Sequence, residues 1–167
     1  MANGVCEEKI YKAVFMEYSE MLRNFLYYKT SDIARSEDLV QDAFTKLWEN
    51  CAKVSIEKSK SYLFTIANNQ FLNQIAHHKV VLKFEGLGHS DKDIKSPEYL
   101  LEEKEFKQRI ENAISALPED QRVVFLMNRI DKKKYREIAE ELGLSVKAIE
   151  KRMHNALKSL KSIHKKL

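Results

Sequence analysis

The sequence predicts an all-α protein made of two small helical domains joined by a flexible linker, with a helix-turn-helix in the C-terminal domain. Three observations support this prediction. The 167 residues include only 4 Gly and 2 Pro. Apolar residues recur at helical steps of three and four over most of the chain. No stretch alternates β-branched with polar residues over the length of a strand.

Three amphipathic helices are expected in the N-terminal domain, residues 5–84. They span about residues 5–28, 33–51 and 59–83, and a short break at KTSD separates the first two. The second helix has an apolar stripe formed by Val40, Ala43, Phe44, Leu47, Trp48 and Cys51. These stripes predict a small bundle with one shared core.

The helical pattern stops at residues 85–98, EGLGHSDKDIKSPE, which contain two Gly and one Pro and read as a linker. Ser96 and Pro97 then form a helix-start signal, because Ser is a favoured N-cap and Pro is tolerated in the first turn. The C-terminal domain is therefore predicted over residues 99–167. Its first helix should end near Ala116, and the next should begin at Pro118.

The segment YREIAEELGLSVKAIEKRMHNALKSL predicts two helices, Tyr135–Leu142 and Val146–Leu160, that meet at a tight turn. Gly143 can adopt the positive φ that such a turn requires, and Ser145 can cap the second helix. The second helix should bury Val146, Ile149, Met153, Leu157 and Leu160. Short paired helices with this turn indicate a helix-turn-helix, and the alternative is an ordinary αα-corner with a basic surface.

The second helix of this pair carries its charge almost entirely as Lys and Arg. Residues 146–167 contain seven Lys and Arg against one acid, Glu150, whereas residues 1–85 contain 11 basic and 11 acidic residues. Basic and amide side chains on an exposed helix suit phosphates and base edges in a DNA major groove. The candidate contacts are Lys147, Lys151, Arg152, Asn155 and Lys158. Glu150 could flank the interface or accept a hydrogen bond from cytosine, and a solvated basic tail is the alternative for the whole region.

The third helix is rich in amides, with five Asn or Gln between residues 68 and 74. Tyr62, Asn69 and Asn73 fall on one face, and His77 follows one turn later. An aromatic ring followed by amides can stack on an unpaired base and bond its edges, although a solvated amide face is also compatible with this composition. His77 and His78 diverge on a helix, so no metal site is predicted.

The second helix exposes acids, among them Asp38 and Asp42, together with Gln41. An acidic face would repel DNA and more plausibly contacts a protein, although a solvated charged face is the simpler interpretation of this helix alone.

Cys6 and Cys51 have no Cys-x-x-Cys spacing and are expected to be reduced thiols in a cytosolic protein. The N-terminal segment MANGVCEEKIYK carries acids where a signal peptide needs an apolar core, and no apolar run approaches membrane length. A cytoplasmic location is therefore expected. With no Gly-rich phosphate loop and no clustered metal ligands, neither an enzyme nor a cofactor is expected.

The chain resembles the bacterial RNA polymerase sigma factors of the extracytoplasmic-function group of the sigma-70 family. The resemblance rests on ARSEDLVQDAFTKLWE, followed by SYLFTIANNQFLNQIAHHK, followed after the linker by ALPEDQRVVFLMNRIDKKKYREIAEELGLS. It implies a dissociable promoter-specificity subunit without catalytic activity of its own.

The resemblance also implies a role for each candidate surface. Asp38, Gln41 and Asp42 would dock on the clamp helices of the largest subunit of core RNA polymerase. Tyr62, Asn69, Asn73 and His77 would engage the melted −10 element, and the basic helix would read the −35 element. The resemblance further implies an anti-sigma factor, often membrane-bound, as a partner. Tyr62 stands where many members have Trp, and His77-His78-Lys79 is less basic than the corresponding segment of many members. The rival interpretation is a stand-alone helix-turn-helix transcriptional regulator.

Overall fold

The computed structural model describes residues 4–74, 82–83 and 97–164. Within these residues the chain forms helices and one 3₁₀ turn, Cys51–Lys53, with an isolated bridge between Gly4 and Ser55 but no strand. The predicted all-α class is confirmed. The α-helices are α1 (Glu8–Thr30), α2 (Ile33–Glu49), α3 (Ile56–Gln74), α4 (Pro97–Ser115), α5 (Glu119–Arg129), α6 (Tyr135–Leu142) and α7 (Val146–His164).

Helices α1, α2 and α3 pack into an N-terminal bundle, with apolar side chains from each helix in its core. The turn between α1 and α2 is built from polar groups: Ser31 takes a left-handed conformation, and Asp32 caps α2 by accepting a hydrogen bond from the Arg35 N–H. Fully or nearly fully buried core residues include Leu22, Phe25, Leu26, Leu39, Phe44, Leu47, Leu63, Phe64 and Ala67. Helix α3 begins one turn earlier than predicted. It was predicted to continue to residue 83, but residues 82–83 are not helical, and residues 75–81 lie outside the described residues.

The bundle corrects two expectations about α2. Trp48 was predicted to be buried, but it is 46% exposed. It lies at the rim of the bundle, where its ring packs edge-on against Tyr11. Cys51 was predicted to be a reduced thiol, but it forms a disulfide with Cys6. The pairing could not be predicted from the sequence, because the two cysteines are 45 residues apart and only the fold brings them together.

Helices α5, α6 and α7 form the C-terminal bundle, whereas residues 98–110 of α4 are exposed. Pro97 is the first residue of α4, as the helix-start signal predicted. The predicted linker lies outside the described residues except for residues 97 and 98. The core of this bundle is formed by Val123, Val124, Leu126, Met127, Ile138, Ala139, Ile149 and Met153.

The two bundles are packed against each other, and their buried side chains form one continuous cluster. Arg122 of α5 is 4% exposed at this junction. Its Nε donates a hydrogen bond of 2.9 Å to the carbonyl of Tyr28 in α1, and its Nη1 donates one of 2.9 Å to the carbonyl of Leu117. The Tyr28 carbonyl lies in the last turn of α1, where helical carbonyls lack partners within the helix. Arg122 therefore joins the end of α1 to the start of the C-terminal bundle.

Charged pairs surround this buried guanidinium. Lys29, 8% exposed, pairs with Glu119 of α5. Glu141 of α6 is 6% exposed and pairs at 2.6 Å with both Lys60 of α3 and Lys133. The buried charges of Lys29 and Glu141 thus each have an opposite charge within contact distance, which offsets the cost of removing them from water.

We expect Tyr28→Phe to lower the free energy of unfolding, since the Tyr28 hydroxyl donates a 2.6 Å hydrogen bond to Asp131 Oδ1. Hydrogen bonds to charged groups contribute about 1.5–3 kcal/mol, and Phe keeps the ring but not the donor. Urea unfolding measures the difference. Tyr62→Phe is the matched control, because its hydroxyl lies 3.5 Å from the Lys46 carbonyl and should contribute at most about 0.5 kcal/mol. Equal stability of Tyr28→Phe and wild type would contradict the importance of this bond.

The pH dependence of stability should carry a contribution from Asp131. Burial raises the pKa of the Asp131 carboxyl above its usual value, although the hydrogen bond from Tyr28 and the charge of Lys133 act in the opposite direction. The folded state therefore holds this proton more tightly than the unfolded state does. Its stabilising contribution is complete below a pH of about 4 and is lost as the pH rises through the raised pKa.

Asp131→Asn removes this titration while keeping an oxygen that can accept from Tyr28. We expect the stability of wild type relative to Asp131→Asn to fall as the pH rises from about 4 towards neutrality. Chemical denaturation at a series of pH values measures this difference. A difference that stays constant over the range would rule out the titration of Asp131 as its source.

Candidate nucleic-acid and protein interfaces

The predicted tight turn between α6 and α7 is present. Gly143 has φ 64°, in the left-handed region, and its N–H bonds the carbonyls of Ala139 and Glu140 at the end of α6. Ser145 Oγ accepts a hydrogen bond of 3.1 Å from the Ala148 N–H and so caps α7. These local contacts fix the angle between the two helices and turn one side of α7 away from the core.

The buried side of α7 follows the predicted spacing with two differences. Ile149 and Met153 are buried, and Leu157 and Leu160 are half-buried. Val146 was predicted to be buried, but it is 41% exposed at the first residue of the helix, at the edge of the core. Ala156 was not predicted, but it is fully buried. The steps from Ile149 to Met153, Ala156 and Leu160 are four, three and four, and this spacing could have identified Ala156 from the sequence.

The opposite side of α7 is an exposed basic stripe. It consists of Lys147, Lys151, His154, Lys158 and Lys161. Steps of four, three, four and three place these residues on one face of the helix. His154 and Lys161 were not among the predicted contacts, although the same spacing would have found them. Glu150 is also exposed, beside the stripe.

Arg152 and Asn155 occupy a different position, because both are half-buried and lie to one side of this stripe. Arg152 Nε is 3.5 Å from Asp120 Oδ2 of α5. Arg152 also lines a cleft between the two bundles, with a volume of about 360 Å³. The predicted DNA contacts of α7 therefore divide into an exposed set and a half-buried pair.

The amide-rich helix α3 contributes to the same cleft. Asn69 and Leu72 are exposed at its rim, and Asn68 is half-buried beside them. Asn73 is exposed one turn further along α3, and Tyr62 is half-buried against the core. His77 lies outside the described residues. The fold thus brings Asn69 of the N-terminal bundle and Arg152 of the C-terminal bundle to one cavity.

The acidic face of α2 is exposed on the N-terminal bundle. Asp38, Gln41 and Asp42 are all exposed, and Gln41 also lines a groove between α1 and α2. Phe15 of α1 lines this groove and is 39% exposed. Phe15 falls at the helical spacing of the apolar residues of α1, but periodicity alone does not distinguish a buried position from one at the edge of a groove. The surface therefore combines carboxylates with an accessible aromatic ring.

Over the residues that the structure describes, no group of three or more His, Cys, Asp or Glu is arranged to hold a metal ion. None of the described helices is both long enough and apolar enough to cross a bilayer.

Two family models match the chain. Sigma-70 region 2 matches residues 14–80, and sigma-70 region 4 matches residues 107–160. The first range contains the acidic and amide-rich helices, and the second contains the helix-turn-helix. Together the two matches cover both bundles.

Two sigma factors of Bacillus subtilis are similar to this chain over most of its length. The RNA polymerase sigma factor YlaC of Bacillus subtilis is 26% identical over 154 residues, which cover 89% of this chain and 88% of that protein. The ECF RNA polymerase sigma factor SigM of the same organism is 23% identical and covers 90% of this chain and 93% of its own.

A solved structure has a similar fold. It is the sigma factor RpoE in complex with the anti-sigma factor NepR from Bartonella quintana, with a TM-score of 0.65 and 23% identity. The match covers 94% of this chain and 98% of that one. From the two matched regions and the relatives that span nearly its whole length, the chain belongs to the sigma-70 family and is an alternative sigma factor of the extracytoplasmic-function group, which directs promoter-specific initiation of transcription.

Proposed function

We propose that this sigma factor docks on core RNA polymerase through α2 and reads promoters through α3 and α7. The observation that carries the proposal is the exposed basic stripe on the second helix of a helix-turn-helix, formed by Lys147, Lys151, His154, Lys158 and Lys161. Such a helix can enter a major groove, and its cations can contact phosphates and guanine. The acidic α2 face lies on the other bundle, and its negative charge requires a partner other than DNA.

The polymerase surface is proposed to be Asp38, Gln41 and Asp42, with Phe15 as an apolar contact in the neighbouring groove. Carboxylates at the rim and an accessible ring beside them are typical of protein interfaces. The partner would be the clamp helices of the largest subunit. Because the acids would be repelled by DNA phosphates, this face should be turned away from the promoter.

The −10 surface is proposed to be the exposed amides of α3, Asn69 and Asn73, with Tyr62 and His77 at either end. Amides can bond the edges of a base that has been unpaired, and an aromatic ring can stack on it. The polymerase supplies the chemistry of RNA synthesis, so the chain itself needs no catalytic group and is proposed not to be an enzyme.

The −35 surface combines the exposed basic stripe with Arg152 and Asn155. In the packed arrangement Arg152 faces Asp120 and a cleft of about 360 Å³, which has the size of a small-molecule pocket and cannot admit a duplex. We expect the bundles, proposed as domains 5–84 and 99–167 with a linker at 85–98, to separate when the polymerase fixes their spacing. The charged pairs of the junction favour separation of the bundles, because both side chains of each pair regain water when they part.

The proposed location is the cytoplasm, where core polymerase and promoter DNA are found. The proposed regulator is an anti-sigma factor, since the structurally similar RpoE is seen in complex with one. The alternative of a stand-alone helix-turn-helix regulator leaves the acidic face of α2 and the amides of α3 without a role.

Lys151→Ala should reduce transcription from a cognate promoter without weakening the complex with core polymerase. Loss of one cationic DNA contact costs about 1 kcal/mol or more, roughly a five-fold drop, and reduces the salt dependence of promoter binding by about one unit. Run-off transcription and co-elution with core polymerase measure the two properties. Lys104→Ala on exposed α4 removes the same charge and is the control. Weaker polymerase binding by Lys151→Ala alone would contradict the assignment.

Gln41→Ala with Asp42→Ala should have the opposite effect. Both side chains are exposed, so the fold and its unfolding midpoint should be unchanged, whereas association with core polymerase should weaken about ten-fold or more. Titration of labelled protein with sigma-free core polymerase gives the affinity. Glu102→Ala, an exposed acid on α4, controls for the loss of one negative charge. A double variant that binds core polymerase normally would show that the docking surface lies elsewhere.

A further inference from the structure

The N-terminal segment is attached to the junction of α2 and α3 by a disulfide. Cys6 lies just before α1 and is exposed, and Cys51 is half-buried in the 3₁₀ turn after α2. Their Cα atoms are 5.0 Å apart. The two cysteines are 45 positions apart, and the whole of α1 and α2 lies between them in the sequence.

Non-covalent contacts hold the same segment in place. Val5 is fully buried in the core, and Gly4 forms a bridge with Ser55. Further along, the Tyr11 hydroxyl donates a 2.9 Å hydrogen bond to the Phe44 carbonyl of α2. Because these contacts do not involve sulfur, the two cysteines should remain neighbours when the bond is broken. A pair that is held together in both states can form and break its disulfide reversibly.

We propose that Cys6 and Cys51 form a redox-responsive modification site, whose substrate is a low-molecular-weight disulfide of the glutathione class. The dithiol would be the form in a reducing cytoplasm, and the disulfide would form when the thiol pool becomes oxidised. The cytoplasmic setting rests on the proposed function, whereas the chemistry of the pair does not.

The exposed Cys6 is the site of the first reaction. Its thiolate attacks one sulfur of the small disulfide RSSR, forms a mixed disulfide and expels RS⁻. The Cys51 thiolate then attacks the Cys6 sulfur, forms the Cys6–Cys51 bond and expels the second RS⁻. The protons lost by the two cysteines end on the two expelled thiolates. One RSSR is therefore reduced to two RSH while two cysteines are oxidised to one disulfide.

Oxidation should stabilise the bundle that carries the proposed polymerase and −10 surfaces. The bond restricts the unfolded chain over a long loop and fixes the junction from which α2 and α3 diverge. The oxidised protein should unfold at a temperature roughly 5–10 °C higher than the reduced protein.

The test equilibrates the full chain in buffers with different ratios of reduced to oxidised glutathione, followed by acid quenching, alkylation and intact-mass measurement. We expect molecules with two alkylated cysteines or none. The fraction of oxidised protein should fall as the ratio of the squared concentration of reduced glutathione to the concentration of oxidised glutathione rises. Free thiols in the most oxidising buffer, or persistent glutathione adducts on single cysteines, would overturn the proposal. A disulfide that survives the most reducing buffer would also overturn it, since the bond would then be permanent.

Thermal unfolding gives an independent measurement. Cys6→Ser and Cys51→Ser should each unfold near the temperature of the reduced wild type in both buffers, and only the wild type should respond to oxidation. If either variant fails to fold, the reduced and oxidised wild type still provide the comparison, and equal midpoints would refute the stabilising role. Co-elution of the reduced wild type with core polymerase is scored separately, so its failure would reject the proposed function and leave the thiol results standing.

Discussion

The structure depends on one buried cation, the guanidinium of Arg122. It donates to the Tyr28 carbonyl at the end of α1 and to the Leu117 carbonyl that precedes α5. Burial lowers the pKa of Arg122, and the nearby charge of Glu119 opposes that effect. The planar guanidinium has several N–H donors, so it can bond the carbonyls of Tyr28 and Leu117 at the same time, which the single ammonium group of Lys could not do in the same geometry. Without this contact, the Tyr28 carbonyl at the end of α1 would lose its hydrogen-bond partner where the two bundles meet.

Ion pairs add to the apolar cluster that the two bundles share at their junction. Lys29 pairs with Glu119, and Glu141 receives both Lys60 and Lys133. Lys29 also lies over the rings of Phe25 and Phe71, at 5.2 and 4.9 Å. The paired charges make the junction specific in register, and they become well hydrated when the bundles separate. Such a junction suits the proposed separation of the two bundles on the polymerase.

The sequence predicted a candidate surface well where the residues that shape it are close together in the chain. Gly143, Ser145 and the apolar steps of α7 act within one helix-turn-helix, so the turn, the cap and most of the buried side were predicted. The same periodicity predicted Trp48 and Val146 as buried, but both are exposed at the edge of a core. A helical stripe indicates which direction a side chain faces, and it does not indicate whether another element covers that position.

By itself, the sequence determined the all-α class, the helix-turn-helix and the family, because helix periodicity, turn residues and motif order are properties of neighbouring residues. Only the tertiary structure decided that Cys6 meets Cys51, that Arg122 bonds the end of α1, and that Asn69 and Arg152 share a cleft. Each of these contacts joins residues 45 or more positions apart. Their distances depend on how whole helices pack, which no local pattern encodes.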